Sequence, residues 1–88
     1  MKFTKSKPAK NLKILKEVIA QARQKKGLTQ EELANAVCLS KGQIREMEES
    51  DLYLSFYSMQ IKIHAARRIG SYLGLKEGQY LQEHEELS

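Results

Sequence analysis

Leu28-Thr29-Gln30-Glu31-Glu32-Leu33-Ala34-Asn35-Ala36-Val37-Cys38-Leu39-Ser40-Lys41-Gly42-Gln43-Ile44-Arg45-Glu46-Met47-Glu48 is the stretch whose reading decides the fold. Thr29-Gln30-Glu31-Glu32 is a capping box, with Thr29 as N-cap and Glu32 three residues on. Leu28 before the cap and Leu33 after it form a hydrophobic staple. Leu33, Ala34 and Val37 are the apolar side of a short helix that ends near Cys38. Ser40 offers a new N-cap almost at once. A further helix is expected from Lys41 to about Glu49, with Ile44 and Met47 facing inward. Two short helices joined by a tight turn cannot lie parallel. Their apolar faces must cross over one core, which is a helix-turn-helix arrangement.

Working outward, a preceding helix is expected from Asn11, which would serve as its cap. Leu12, Leu15, Ile19 and Ala22 recur at helical spacing, with Val18 beside them. Lys25-Lys26-Gly27 reads as its stop, with cations at the negative dipole end and a glycine for the left-handed cap. After Glu49, residues 50–55 form a connection whose Leu52, Tyr53 and Leu54 are expected to pack over the core. A longer helix follows from about Phe56 to Leu73. Its stripe would be Ile61, Ala65, Ile69 and Leu73, with Lys62, Arg67 and Arg68 toward solvent and Gly74 as cap. His64 is expected to be a partly buried helical residue. The segment from Gln79 is expected to be a fraying helical turn or disordered. No strand-like alternation of useful length stands out. The fold class is therefore all-α, with four to five helices. Residues 1–10 form a flexible basic arm, 11–75 the helical domain and 76–88 an acidic tail.

The chain has 88 residues and a net charge of +4. That length suits one small domain and disfavours a two-domain enzyme. No apolar run approaches the roughly 20 residues needed to cross a bilayer. The start lacks the apolar stretch of a secretory signal. A lone cysteine, Cys38, fits a reducing compartment, so a cytoplasmic location is expected. Neither a metal nor a cofactor is expected. His64 and His84 have no nucleophilic partners, there is no phosphate-cradling glycine loop, and ligand spacing for zinc is missing.

The charge is unevenly spread. Residues 1–26 carry nine cations (Lys2, Lys5, Lys7, Lys10, Lys13, Lys16, Arg23, Lys25, Lys26) against Glu17, a balance of +8. Residues 27–61 carry Lys41 and Arg45 against Glu31, Glu32, Glu46, Glu48, Glu49 and Asp51, a balance of −4. Residues 62–88 are neutral. A basic start is a common electrostatic footprint of nucleic-acid binding. It is equally a common solubilising tail.

Residues 28–48 resemble the Cro/lambda-repressor type of helix-turn-helix, the xenobiotic-response-element family. The family pattern is L-T-Q-E-E-L-A, a spacer, then G-V-S-x-x-x-I-x-x-I/L-E. The chain matches the Thr-Gln start, the Leu-Ala pair, the turn serine, the isoleucine and the final glutamate. It departs at the turn, where Cys38 stands in the usual glycine's place. A non-glycine residue there needs a strained backbone or an altered turn. Cys38 is expected to be small and buried rather than reactive.

The resemblance implies a transcriptional regulator that binds double-stranded DNA. Gln30 would meet a phosphate at a helix N-terminus. Ser40, Lys41, Gly42, Gln43, Arg45 and Glu46 would face or flank the major groove. Gln43 suits adenine, Arg45 guanine or phosphate, and Lys41 phosphate or guanine. Glu46 suits only cytosine, and Gly42 has no side chain. The resemblance also implies that Arg23 and Glu48 brace the scaffold as an ion pair, with a phosphate contact as the alternative for Arg23. Relatives often bind palindromic sites as dimers, so a homodimer is the partner implied besides DNA.

Part of the chain is also similar to the cytoplasmic domain of RodZ-type proteins. The likeness lies in Glu48-Glu49-Ser50-Asp51-Leu52 and Ser71-Tyr72-Leu73-Gly74-Leu75. It implies a protein-binding adaptor for an actin-like bacterial cytoskeletal protein. Its surface would be Tyr53, Phe56, Tyr57 and Tyr72.

Overall fold

The structure, a computed structural model, describes residues 11–84. The expected basic arm, residues 1–10, lies outside the described residues, as do the last four. The order is β1 (Asn11–Ile14), α1 (Lys16–Lys25), α2 (Gln30–Val37), α3 (Lys41–Glu49), α4 (Met59–Leu73), α5 (Glu77–Tyr80) and β2 (Leu81–His84). Five helices enclose one core and a two-stranded ribbon joins the ends of the described chain. The fold is thus the all-α, lambda-repressor-like domain expected, with the ribbon as an addition.

The central pair forms as its caps dictate. Thr29 Oγ1 accepts from Glu32 N at 3.0 Å and Glu32 Oε1 accepts from Thr29 N at 2.8 Å. Ser40 repeats the device with Gln43, both hydrogen bonds being 3.0 Å. Between them Cys38 takes the left-handed conformation, φ 61° and ψ 44°. Leu39 N then donates to Ala34 O at 2.9 Å, closing the end of α2. The turn keeps its geometry and the cysteine bears the backbone strain. Cys38 is exposed, which corrects the expectation of a buried side chain. Leu33, Ala34 and Val37 are the residues of α2 that are buried.

Three other expectations are corrected. The first concerns residues 11–14, expected as the opening turn of α1. They form β1, antiparallel to β2, with Leu12 opposite Glu83 and Ile14 opposite Leu81. Leu12-Lys13-Ile14 satisfies a period of two as well as one of 3.6, and the ribbon offers backbone partners that a lone helical start lacks. Leu15 N donates to Tyr80 O at 2.8 Å, and α1 begins after it.

The second concerns the end of the chain. Residues 77–84 are ordered into α5 and β2, and both Tyr80 and Leu81 are buried. The Tyr80 ring lies directly on Gly70 of α4, where a β-carbon would collide with it. Glycine at 70 is what lets this segment dock.

The third concerns α4. It starts at Met59, with Ser58 Oγ accepting from Ile61 N at 3.1 Å, rather than at Phe56. Its buried face is Lys62, Ile63, Ala65, Ala66, Ile69, Gly70 and Leu73. Ile61, expected inside, is exposed, and Lys62, expected outside, is 1% exposed. His64 is exposed as well. Backbone carbonyls at the end of α3 draw the Lys62 ammonium inward, which turns the buried face past Ile61. Leu52, Tyr53 and Leu54 are likewise exposed instead of covering the core, while Phe56 takes that role.

Candidate nucleic-acid interface

The α2–α3 pair is locked to α1 by an ion pair at the base of the motif. Arg23 Nε and Nη2 donate to the Glu48 carboxylate at 2.6 and 3.0 Å. A third hydrogen bond runs from Arg23 Nη1 to Leu28 O at 2.7 Å. The side chain of Glu48 is only 3% exposed, so this two-pronged contact acts in poor solvent. The hydrogen bonds to Glu48 raise the Arg23 pKa, against the opposing effect of burial. The brace fixes the angle at which α3 is presented.

The candidate DNA contacts then divide into two sets. Lys41, Gly42 and Arg45 are exposed on the outward side of α3. Lys41 and Arg45 stand four residues apart, on neighbouring turns of one face. Neither has a hydrogen bond or ion pair among the described residues. Gly42 is not demanded by packing, since a β-carbon there would meet only Ser40 Oγ, at 3.8 Å. What the glycine supplies is a bare helix start between two cations.

Ser40, Gln30, Gln43 and Glu46 are already engaged. Ser40 caps α3. Gln30 Nε2 donates to Glu48 Oε1 at 3.0 Å and to Glu49 Oε2 at 3.3 Å. Gln43 uses both ends of its amide: Oε1 completes the cap, and Nε2 donates to Ser55 O at 3.0 Å. Glu46 accepts from Leu54 N and Ser55 N, each at 2.6 Å. Desolvation opposes the Glu46 charge. The hydrogen bonds from Ser55 and Leu54 and the nearby Lys62 outweigh it, and hold the carboxyl below its ordinary range. Two of the seven candidates therefore hold the connection after α3 in place.

The sequence reading missed a third partner in that work, Lys62. Its ammonium donates to Leu52 O, to Ser50 O at 2.9 Å and, more weakly, to Glu46 O at 3.5 Å. Desolvation lowers the Lys62 pKa, against the raising fields of Glu46 and Asp51. No local pattern announces this lysine. The Gln43 contact did carry a signal: Ser40-x-x-Gln43 has the same form as Thr29-x-x-Glu32.

The adaptor surface is only partly assembled. Phe56 is buried, while Tyr53, Tyr57 and Tyr72 are exposed. Tyr72 sits at the far end of α4, where the Lys26 ammonium lies 6.0 Å from its ring centroid. Among the described residues no group of three or more His, Cys, Asp or Glu could hold a metal ion. No helix there is long and apolar enough to cross a membrane.

Residues 19–52 match the family model described as Helix-turn-helix, a span that contains the whole Leu28–Glu48 stretch. The chain is similar to the crystal structure of the transcriptional regulator VanUg. The TM-score is 0.54 at 14% identity, covering 94% of this chain and all of that one. At this identity the likeness speaks for the fold. No curated protein matches the sequence.

Proposed function

We propose that this protein is a transcriptional regulator that binds double-stranded DNA by inserting the start of α3 into the major groove. The observation that carries the reading is the pair Lys41 and Arg45. They are the cations of α3, both exposed, both without an internal partner among the described residues, and they flank a helix start with no side chain at Gly42. Arg45 reads guanine or contacts a phosphate, and Lys41 takes a phosphate or guanine. Gln43 and Glu46 act indirectly, by holding the segment that follows α3. At the N-terminus of α2, the Gln30 end faces a backbone phosphate. The −4 balance of residues 27–61 is unfavourable to a polyanion. Lys2, Lys5, Lys7 and Lys10 supply the missing field.

The test is titration of labelled random and genomic duplexes at several salt concentrations. Arg45→Ala is expected to lose about 1–3 kcal/mol on preferred sites and less on random ones. Equal losses on both would assign Arg45 to phosphate. Deleting residues 1–10 removes four lysines and is expected to weaken binding and flatten its dependence on salt. An intact chain with no affinity for any duplex at low salt would sink the proposal.

A further inference from the structure

A groove runs between the end of α2 and the last turns of α4, lined by Ala36, Val37, Cys38, Arg68, Ser71 and Tyr72. Its volume is about 450 Å³. Small-molecule sites fall in this range. The groups around it are only partly used. Arg68 Nε donates to Val37 O at 3.0 Å, which anchors the guanidinium across the two helices. Its Nη1 and Nη2 have no hydrogen bond or ion pair among the described residues. The neighbouring Arg67, by contrast, has its carboxylate, with Nη2 3.1 Å from Glu77 Oε2. None of the residues lining the groove is acidic. The Tyr72 side wall is 46% exposed, and the Lys26 ammonium stands 6.0 Å from its ring centroid. That is the outer limit of a cation–π contact, so the ring is not taken up by it. The Cys38 thiol is exposed at the mouth of the turn.

We propose that this groove binds a small aromatic carboxylate, its carboxylate on Nη1 and Nη2 of Arg68 and its ring against Tyr72. The first argument is charge. Arg68 and Lys26 bring two cations to a groove without an acid, so an anion is the complementary occupant. The second is the form of the donor. The two terminal nitrogens of a guanidinium offer parallel N–H groups, which match the two oxygens of a carboxylate. The bond to Val37 O holds that fork in place before the ligand arrives, so little side-chain freedom is lost on binding. The third is the wall. Ala36, Val37, the Tyr72 ring and the Cys38 sulfur give an apolar, polarisable lining that suits a flat ring. A phosphate of a duplex would use the charge and leave that wall wet. The place has a consequence. Val37 and Cys38 lead into Ser40, the cap of α3, so a ligand here spans α4 and the turn that presents α3. Binding needs no DNA and is tested apart from the proposed function.

The chain's one cysteine reports on the site without any substitution. Alkylation of Cys38 in the full chain by iodoacetamide, a neutral reagent, is timed with benzoate, benzamide or acetate present. Each is used at about 10 mM, above the roughly millimolar dissociation constant expected of so small a ligand. Benzoate is expected to slow alkylation by roughly fivefold or more. Benzamide lacks the charge and acetate lacks the ring, and both are expected to leave the rate within twofold of its value without ligand. Nitrogen-15 amide shifts of the wild type should move with benzoate at residues 36–39 and 68–72 and not elsewhere. Arg68→Gln, with its circular dichroism spectrum retained, is expected to weaken benzoate by roughly tenfold or more. Equal protection by acetate would reduce the site to an adventitious ion only and overturn the proposal. So would an alkylation rate that benzoate leaves unchanged, or amide shifts centred outside the groove.

Discussion

The turn between α2 and α3 and the connection between α3 and α4 lie at opposite ends of one helix and are held by opposite means. The first is local. Thr29 and Ser40 cap helices within three residues of themselves, and Cys38 adopts the left-handed turn. Its exposed side chains are small, those of Cys38 and Ser40. The second is assembled from a distance. Lys62 reaches back 10 and 12 residues to Leu52 O and Ser50 O, and Glu46 reaches forward 8 and 9 residues to Leu54 N and Ser55 N. Beside Asp51 and Ser55 it exposes Leu52, Tyr53, Leu54 and Tyr57. A turn made from neighbours forms wherever its residues occur. One made from distant groups exists only once the core has formed, and it can then present side chains that an unsupported loop would hide.

The largest effect is expected from removing the central tie of the second region. Lys62→Ala leaves the Ser50 and Leu52 carbonyls without this donor, empties the space of a buried side chain, and should cost about 2–3 kcal/mol in urea unfolding. Amide exchange should rise across the connection but not across residues 38–40. Equal increases in both would erase the contrast. The pH dependence has a definite sign. The Lys62 pKa is lowered in the folded state, so the unfolded chain binds more protons between that value and the ordinary lysine value. The stability gap between wild type and Lys62→Ala should therefore widen as pH rises through that window.

A smaller effect is expected at Glu46. Glu46→Gln keeps one acceptor for two N–H groups, and solvent screening limits the loss to about 1 kcal/mol. Because the folded Glu46 pKa is depressed, its contribution is complete above the unfolded carboxyl value. It is lost as pH falls through the lower folded value. Wild type and Glu46→Gln should converge in acid, and a gap that stays constant with pH would remove Glu46 as the titrating clamp.

The smallest effect belongs to the local turn. Cys38→Gly relieves a left-handed conformation that costs a side-chain-bearing residue roughly 1–2 kcal/mol, offset in part by the greater freedom of glycine when unfolded. A net gain of about 0.5 kcal/mol is expected in the melting midpoint, with binding unchanged. A loss would mean that the Cys38 side chain contributes contacts of its own.

The α2–α3 pair, its caps, the Arg23–Glu48 brace and the end of α4 at Gly74 were legible because each rests on neighbours or on a motif of fixed spacing. Lys41 and Arg45 could be named as outward for the same reason, once Ile44 and Met47 were recognised as the inward side. Position on a helix face says where a side chain starts, not what it meets. Gln43, and less strongly Glu46, therefore stood as candidates for reading bases, although both are tied to the Leu54–Ser55 segment.

What the chain's order of residues determined alone was therefore the set of short-range decisions: which segments start as helices, where they stop, and which sides must be dry. Tertiary structure decided the rest. It drew Leu12 and Ile14 into a strand because Leu81–His84 came alongside. It seated Tyr80 where Gly70 left room, and buried Lys62 because carbonyls of α3 and the connection needed a donor. Each of those outcomes depends on groups far apart in the chain, whose meeting is driven by the closure of the core and not by any preference of the residues themselves.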